Sequence, residues 1–101
     1  MSGTNDEELF LCCLLWARTG LAAEMTAYED QVLAMIPEHS GAVVQRAIVD
    51  GPEDRPREVQ ILRFASQAAL DGYLADPRRM ALSAERDRVV ARTDVLPTRL
   101  I

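Results

Sequence analysis

The chain alternates between apolar runs typical of strands and apolar stripes typical of helices. Residues 9–16 are apolar at both odd and even positions, which is the pattern of a strand covered on both faces. After the turn signal Thr19-Gly20, apolar residues at helical spacing predict a helix over residues 21–35, with Glu29 mostly off the apolar stripe. Pro37 ends this helix, because proline cannot continue the helical hydrogen bonding.

Two further strands are predicted on either side of a loop. Residues 42–49 and 59–64 are short, mainly apolar runs that contain β-branched and aromatic side chains. Between them, residues 50–56 are dense in glycine, proline and acidic side chains, which favours a hairpin connection. The later strand leads into Ser66, whose hydroxyl is placed to accept hydrogen bonds from the free N–H groups of a helix start.

The helix that follows Ser66 is predicted to break and restart. Apolar residues continue at helical spacing as far as Leu74, and Asp76-Pro77 then interrupts the helix. The same pair favours a new start, with the aspartate as N-cap and the proline in the first helical position. The restarted helix is expected to reach about residue 90.

A last short strand is expected at residues 95–101, where Pro97 indicates an edge position or a bulge. The order is then β-α-β-β-α-β, which predicts an α+β fold, a ferredoxin-like antiparallel sheet with both helices on one face. We expect a single domain at residues 8–101, preceded by a flexible N-terminus at residues 1–7.

The predicted strands are apolar on both faces, although both helices lie on one face of the sheet. The second face must also be buried, but no further predicted helix or strand remains to pack against it. A second copy of the sheet is the economical solution, since it also protects the sheet edges. The sequence thus predicts a homodimer.

Charge narrows the class of partner. The formal net charge is −5, so nucleic acid is not expected as a partner, because phosphate binding needs a concentrated basic surface.

Residues 1–54 carry a net charge of −8 and residues 55–101 a net charge of +3. This asymmetry indicates either an anion site in the second half or complementary acidic and basic surfaces. The second alternative is favoured, with the arginines at positions 78–92 on a solvated helix face.

Cys12 and Cys13 are adjacent in the first predicted strand, where neighbouring side chains point to opposite faces. A disulfide between them is therefore not expected, and no metal-binding spacing accompanies them.

The apolar run around the two cysteines is too short to span a bilayer, and the acidic residues 6–8 before it carry the opposite charge to the start of a signal peptide. We therefore expect a cytoplasmic protein without a membrane partner.

Three segments resemble a known family. They are FASQAALDGY at residues 64–73, DPRRM at residues 76–80 and, upstream, Tyr28 followed by IPEHSG at residues 36–41. Together with the layout of the chain, they are similar to the dimeric α+β barrel proteins. That family includes antibiotic-biosynthesis monooxygenases, stress-responsive barrel proteins and small uncharacterised relatives, of which the last resemble this chain most.

The resemblance implies a homodimer whose two sheets face each other in a barrel, with a cleft between each sheet and its helices. It does not imply a single reaction, because this fold serves several. Members include cofactor-free oxygenases acting on aromatic polyketides or quinones, haem-degrading proteins and lactone isomerases. No catalytic motif of any branch is matched residue by residue, and we predict no cofactor.

His39 is the only histidine of the chain. A metal site built on a pair of histidines is therefore excluded, and no metal site is predicted. His39 follows the first predicted helix, where a cation stabilises the helix C-terminus. A surface or capping role is favoured, and a general base or an axial ligand is the functional alternative.

Polar side chains stand inside the predicted strands, at Gln45, Arg46, Gln60 and Arg63. Buried polar groups in a sheet need partners, so these side chains either line a wet cavity or pair across a dimer interface. In a cavity, Arg63 or Arg46 would stabilise an anion or enolate. Pairing across the interface is the favoured alternative.

The aromatic side chains either line an apolar ligand cleft or belong to the hydrophobic core, and the core is the favoured alternative. They are Trp16, Tyr28, Phe64 and Tyr73.

Three hypotheses of function follow. The first is a dimer that binds a small apolar ligand through Trp16, Tyr28, Arg46, Gln60 and Phe64. The second is a cofactor-independent monooxygenase or isomerase acting on a small aromatic or polyketide-like substrate. In that enzyme, His39 or Tyr73 moves a proton and Arg63 stabilises negative charge. The third is a purely structural dimerisation domain.

Overall fold

The computed structural model describes residues 7–101, so the predicted flexible N-terminus lies almost wholly outside the described residues. The elements are β1 (Leu9–Ala17), α1 (Ala22–Leu33), a 3₁₀ turn (Ile36–His39), β2 (Gly41–Ile48), β3 (Glu58–Phe64), α2 (Gln67–Leu74), α3 (Pro77–Met80), α4 (Ser83–Val89) and β4 (Val90–Thr98). The four strands form one sheet in the order β2-β3-β1-β4, and every neighbouring pair is antiparallel. The predicted ferredoxin-like α+β fold is confirmed.

Two helix starts predicted from side-chain chemistry are present. Ser66 Oγ accepts a hydrogen bond from the backbone N–H of Ala69 at 3.1 Å and caps α2. Asp76 Oδ1 accepts one from the backbone N–H of Arg78 at 2.9 Å and caps α3, with Pro77 at its start. Each cap satisfies a backbone donor that the helix itself leaves free.

The last strand differs from the prediction. β4 follows α4 directly at Val90, so residues 90–94 belong to the sheet and not to a helix end or a connection. Arg92 and Asp94 interrupt the apolar pattern there, and in the structure their side chains pair with each other at 2.8 Å. β4 is an edge strand of the sheet, in agreement with the prediction from Pro97.

The sheet separates two sets of side chains, because residues alternate between its faces. Alternate residues of β1 and β3 are buried against the helices, and they include Leu11, Cys13, Leu15, Gln60, Leu62 and Phe64. The residues between them point away from the helices and are half-buried. This second set defines what we call the open sheet face, formed by Phe10, Cys12, Leu14, Trp16, Val59, Ile61 and Arg63.

The helices complete the core on the buried side of the sheet. Met25 of α1, Ile36 of the 3₁₀ turn and Val89 of α4 are fully buried there with Phe64 of β3. Among the helices of residues 7–101, none has the length and apolar character needed to cross a membrane.

Candidate ligand cavity between the sheet and the helices

A cavity of about 150 Å³ lies between the buried side of the sheet and the helices. Its apolar lining comes from β1, β3, α1 and α2 and includes Leu11, Leu62, Phe64, Val32, Leu33 and Leu70. Leu74 and Val95 are its exposed lining residues, at 43% and 52% of their surface. The cavity therefore opens to solvent between Leu74 of α2 and Val95 of β4.

The volume of the cavity limits what it can hold. An apolar protein cavity of about 150 Å³ binds benzene, whereas sites for drug-sized ligands measure roughly 300–1,000 Å³. The cavity therefore suits a molecule of about the size of one aromatic ring, and a polycyclic polyketide exceeds it.

Glu29 and Gln60 are buried polar side chains in the cavity lining, exposed by only 5% and 2%. Gln60 Nε2 donates hydrogen bonds to Glu29 Oε1 at 2.8 Å and to Glu58 Oε1 at 3.2 Å. Burial raises the pKa of Glu29 above its usual range, and the hydrogen bond from Gln60 opposes that rise. A carboxyl group in this setting holds its proton to a higher pH than an exposed one.

Arg46 pairs with Glu58 and does not line the cavity. Its guanidinium donates to Glu58 at 2.7 Å and 3.0 Å and to Asp30 at 2.6 Å. The hydrogen bonds to Glu58 raise the pKa of Arg46 above its already high usual value. Gln60 and Arg46 stand directly opposite each other on β3 and β2. The favoured prediction that they pair across a dimer interface is wrong, because both find their partners within their own chain.

Tyr73 and Tyr28 contribute aromatic rings to the cavity wall. The Tyr73 hydroxyl donates a hydrogen bond to the Val32 carbonyl oxygen at 3.1 Å, and the Tyr73 ring centroid lies 5.5 Å from that of Phe64. Burial raises the pKa of Tyr73 to about 12 and also raises that of Tyr28. Both phenols therefore stay protonated near neutral pH, where they can donate hydrogen bonds but not act as bases.

Cys13 also lines the cavity, and burial raises the pKa of its thiol to about 11. A neutral thiol is a weak nucleophile, so covalent catalysis by Cys13 has no support near neutral pH. Cys12 points to the open sheet face, and both cysteines are free, as predicted from their adjacent positions.

Two arginines that were expected on a solvated helix face line the cavity instead. The guanidinium carbon of Arg79 lies 5.1 Å from the Tyr73 ring centroid, and Arg86 Nη2 lies 3.4 Å from Thr93 Oγ1. Their spacing of seven residues, about two helical turns, is the signal that could have found them.

The predicted site residues divide between the cavity and other parts of the molecule. Those that line the cavity are Tyr28, Gln60, Phe64 and Tyr73. Trp16 lies instead on the open sheet face, where its indole N–H donates to the Asp54 carbonyl oxygen at 3.2 Å and Arg92 stacks 4.4 Å above its ring.

The proposed catalytic set does not come together in one place. The His39 ring centroid is 6.0 Å from that of Tyr73, but His39 is absent from the cavity lining and pairs with Asp76. Arg63 points to the open sheet face and pairs with Glu8. Within residues 7–101, no group of three or more His, Cys, Asp or Glu side chains is arranged to hold a metal ion.

Solved structures share this arrangement of sheet and helices. SnoaB, a cofactor-independent oxygenase from Streptomyces nogalater, is similar with a TM-score of 0.68 and 14% identity, over 94% of this chain and 96% of SnoaB. A DABB family protein with a ferredoxin-like fold from Mesorhizobium loti has a TM-score of 0.67 and 12% identity, over 93% and 97% of the two chains. The chain has the fold of the dimeric α+β barrel proteins.

A third similar structure is a dimeric protein of unknown function and ferredoxin-like fold from Bacteroides fragilis. It has a TM-score of 0.69 and 9% identity, over 92% and 96% of the two chains. The resemblance to the dimeric α+β barrel proteins is thus confirmed at the level of the fold. Neither a protein-family model nor a curated protein matches the chain.

Proposed function

We propose that this protein is a homodimer that binds a small, largely apolar molecule in the cavity between its sheet and helices. The observation that carries the proposal is the cavity of about 150 Å³, which combines an apolar lining with a few buried polar groups. This combination is the usual form of a small-molecule site. Three of the predicted ligand-binding residues, Tyr28, Gln60 and Phe64, line this cavity, which supports a role for them in binding.

The open sheet face supports the dimer. On it, Cys12 lies opposite Ile61 and Leu14 lies opposite Val59, so the apolar side chains of β1 and β3 form one continuous patch. A continuous apolar patch of this kind marks an interaction surface. A second copy packed sheet to sheet would cover it, and the fold relative from Bacteroides fragilis is described as dimeric. The free thiols support a cytoplasmic location as part of the same proposal.

A cofactor-independent oxygenase or isomerase is the second candidate, and Glu29 is the observation that favours it. A carboxyl group with a raised pKa inside an apolar cavity suits proton transfer to or from a bound substrate. Glu29 and Tyr73 line one cavity, whereas His39 and Arg63 do not. In this candidate, Glu29 moves the proton in place of His39, and the protonated Tyr73, the other predicted proton donor, donates a hydrogen bond to the substrate. SnoaB shows that this fold can serve a cofactor-independent oxygenase.

Binding of toluene and phenol, measured by ligand-detected NMR, tests the ligand site. Val95→Trp narrows the open side of the cavity, whereas Ile48→Trp places the same ring at a 44% exposed position outside the lining. We expect both probes to bind the wild type and Ile48→Trp, and to bind Val95→Trp about tenfold more weakly, or about 1.4 kcal/mol. No binding to the wild type would contradict the proposal and favour a structural dimerisation domain.

Native mass spectrometry tests the dimer. We expect a mass of two chains for the wild type and of one chain for Ile61→Glu, because a charge on the open sheet face would be buried without a partner. Ala27→Glu, at an exposed position of α1, is the control and should remain a dimer. A single-chain mass for the wild type at micromolar concentration would overturn this part of the proposal.

A further inference from the structure

We propose that the ligand is a small carboxylate, with a single ring or a short apolar chain in the cavity and its carboxylate group bound by Arg79 and Arg86. The inference rests on the proposed function, because it names the ligand class of the same cavity. It is carried by the position of the two guanidinium groups in the cavity lining and by the absence of an ion pair to either of them among residues 7–101.

Five of the eleven arginines of the chain form ion pairs with carboxylates among the described residues. Those that pair with a carboxylate are Arg46, Arg63, Arg78, Arg88 and Arg92. Arg79 and Arg86 form no ion pair with any residue in the described range 7–101, and both are half-buried in the lining of an apolar cavity. Two guanidinium groups that form no ion pair among the described residues favour an anionic ligand in such a cavity. The one carboxyl that residues 7–101 contribute to the lining, Glu29, has a pKa that burial raises and that the charge of Arg79 lowers.

Arg79 has donor capacity that the described chain does not use. Its Nε atom is buried and has no hydrogen-bond partner among residues 7–101. Among the described residues, its Nη1 atom donates to the Leu74 carbonyl oxygen at a long 3.4 Å, and the guanidinium lies over the Tyr73 ring. A buried donor without a partner costs free energy, which a ligand oxygen would recover.

Arg86 faces the same region from α4. Within residues 7–101, its side chain donates a single long hydrogen bond of 3.4 Å to Thr93 Oγ1, and Thr93 also lines the cavity. Burial raises the pKa of Tyr28, and the charges of Arg79 and Arg86 both act on that phenol in the opposite sense. The two arginines therefore project their positive potential onto one wall of the cavity.

The remaining lining fits an amphipathic carboxylate. The planar guanidinium fork matches a carboxylate in two parallel hydrogen bonds, which favours this group over a spherical anion. Glu29 is the acidic residue of the lining, and it pairs with Gln60, has a raised pKa and does not pair with either arginine. The cavity thus offers a cationic side for the carboxylate and an apolar volume sized for one ring.

Benzoate and its neutral isostere benzamide test the inference, with toluene as the purely apolar probe. We expect wild-type protein to bind benzoate about tenfold more tightly than benzamide, with a preference that decreases as salt is added. The double variant Arg79→Gln/Arg86→Gln should lose this preference and keep its affinity for benzamide. Arg88→Gln, which removes a 51% exposed arginine of α4 that pairs with Glu85, should keep the preference.

The outcomes separate this inference from the proposed function. Binding of toluene and benzamide without any preference for benzoate would overturn the carboxylate assignment and leave the apolar site standing. Failure of all three probes to bind the wild type would overturn both. A preference retained in the double variant would overturn the role of the two arginines. If the double variant does not fold, Arg86→Gln alone should reduce the preference, and an unchanged preference would count against the inference.

Discussion

The Nε2 atom of His39 lies 2.8 Å from Oδ2 of Asp76, and this contact joins the 3₁₀ turn after α1 to the break between α2 and α3. Arg78 adds hydrogen bonds to the same carboxylate at 3.2 Å and 2.9 Å. Arg78 and His39 together hold the pKa of Asp76 well below its usual range. Asp76 is therefore at once the N-cap of α3 and an anchor between two distant segments.

Asp76→Asn should separate these two roles, because asparagine is also a good N-cap. The pKa of Asp76 is lower in the folded than in the unfolded chain, where it is about 3.9. Its ionic contribution is therefore fully present above about pH 4 and is lost as the pH falls further. We expect the wild type to be more stable than Asp76→Asn in urea unfolding near neutral pH, by a margin that shrinks in acid. A margin that stays constant into strong acid would contradict this account.

Glu29→Gln should show the opposite dependence on pH. The folded pKa of Glu29 is raised, so its protonated form is favoured by folding, and that stabilisation is lost as the pH rises through the folded pKa. Glutamine stays neutral and can still accept the hydrogen bond from Gln60. In urea titrations, the variant should gain stability relative to the wild type as the pH rises from about 4 towards 8. Glu24→Gln, at an exposed position of α1, should show no such trend.

Gly41→Ala and Gly72→Ala make the same chemical change, but we expect the first to destabilise the protein and the second to stabilise it. A Cβ atom at Gly41 would lie 2.7 Å from the Arg63 carbonyl oxygen and 2.8 Å from Ile36 Cγ2, so we expect a loss of about 1–3 kcal/mol. At Gly72, inside α2, the nearest atom is His39 Nδ1 at 3.4 Å, and alanine should gain up to about 1 kcal/mol from helix propensity. Thermal unfolding measures both effects, and a stabilising Gly41→Ala would contradict the close approach of the Arg63 backbone to Gly41.

Tyr73→Phe should cost about 1 kcal/mol of unfolding free energy, because it removes a single buried hydrogen bond to the Val32 carbonyl oxygen. The ring stays against Phe64, so the cavity keeps its shape. Tyr73→Leu removes the ring as well and should cost more in the same urea titration. Equal losses for the two variants would mean that the ring contributes nothing to the packing.

Features that depend on local chemistry could be predicted from the sequence. The cap at Ser66 and the break at Asp76-Pro77 involve atoms within three residues of each other, and both occur where expected. The cavity depends on contacts between distant segments. Glu29 lies off the apolar stripe of its helix, yet it is buried because Gln60, 31 positions along the chain, supplies a hydrogen bond. The sequence near Glu29 gives no indication of a hydrogen-bond partner so far along the chain.

The start of β4 was missed for a related reason. Arg92 and Asp94 break the apolar pattern, although their mutual ion pair and the hydrogen-bonded register with β1 make residues 90–94 an ordinary part of the sheet. A strand at a sheet edge needs less apolar surface than a central strand, so its sequence signal is weak.

The fluorescence of Trp16 reports on the environment of the open sheet face. It is the only tryptophan of the chain, and its ring lies on the open sheet face under Arg92, at the end of β1. Indole emission shifts to longer wavelength when water replaces protein around the ring. If the proposed homodimer forms, dilution of the unlabelled protein would show its dissociation as a red shift, and the concentration at the midpoint would give the dissociation constant directly.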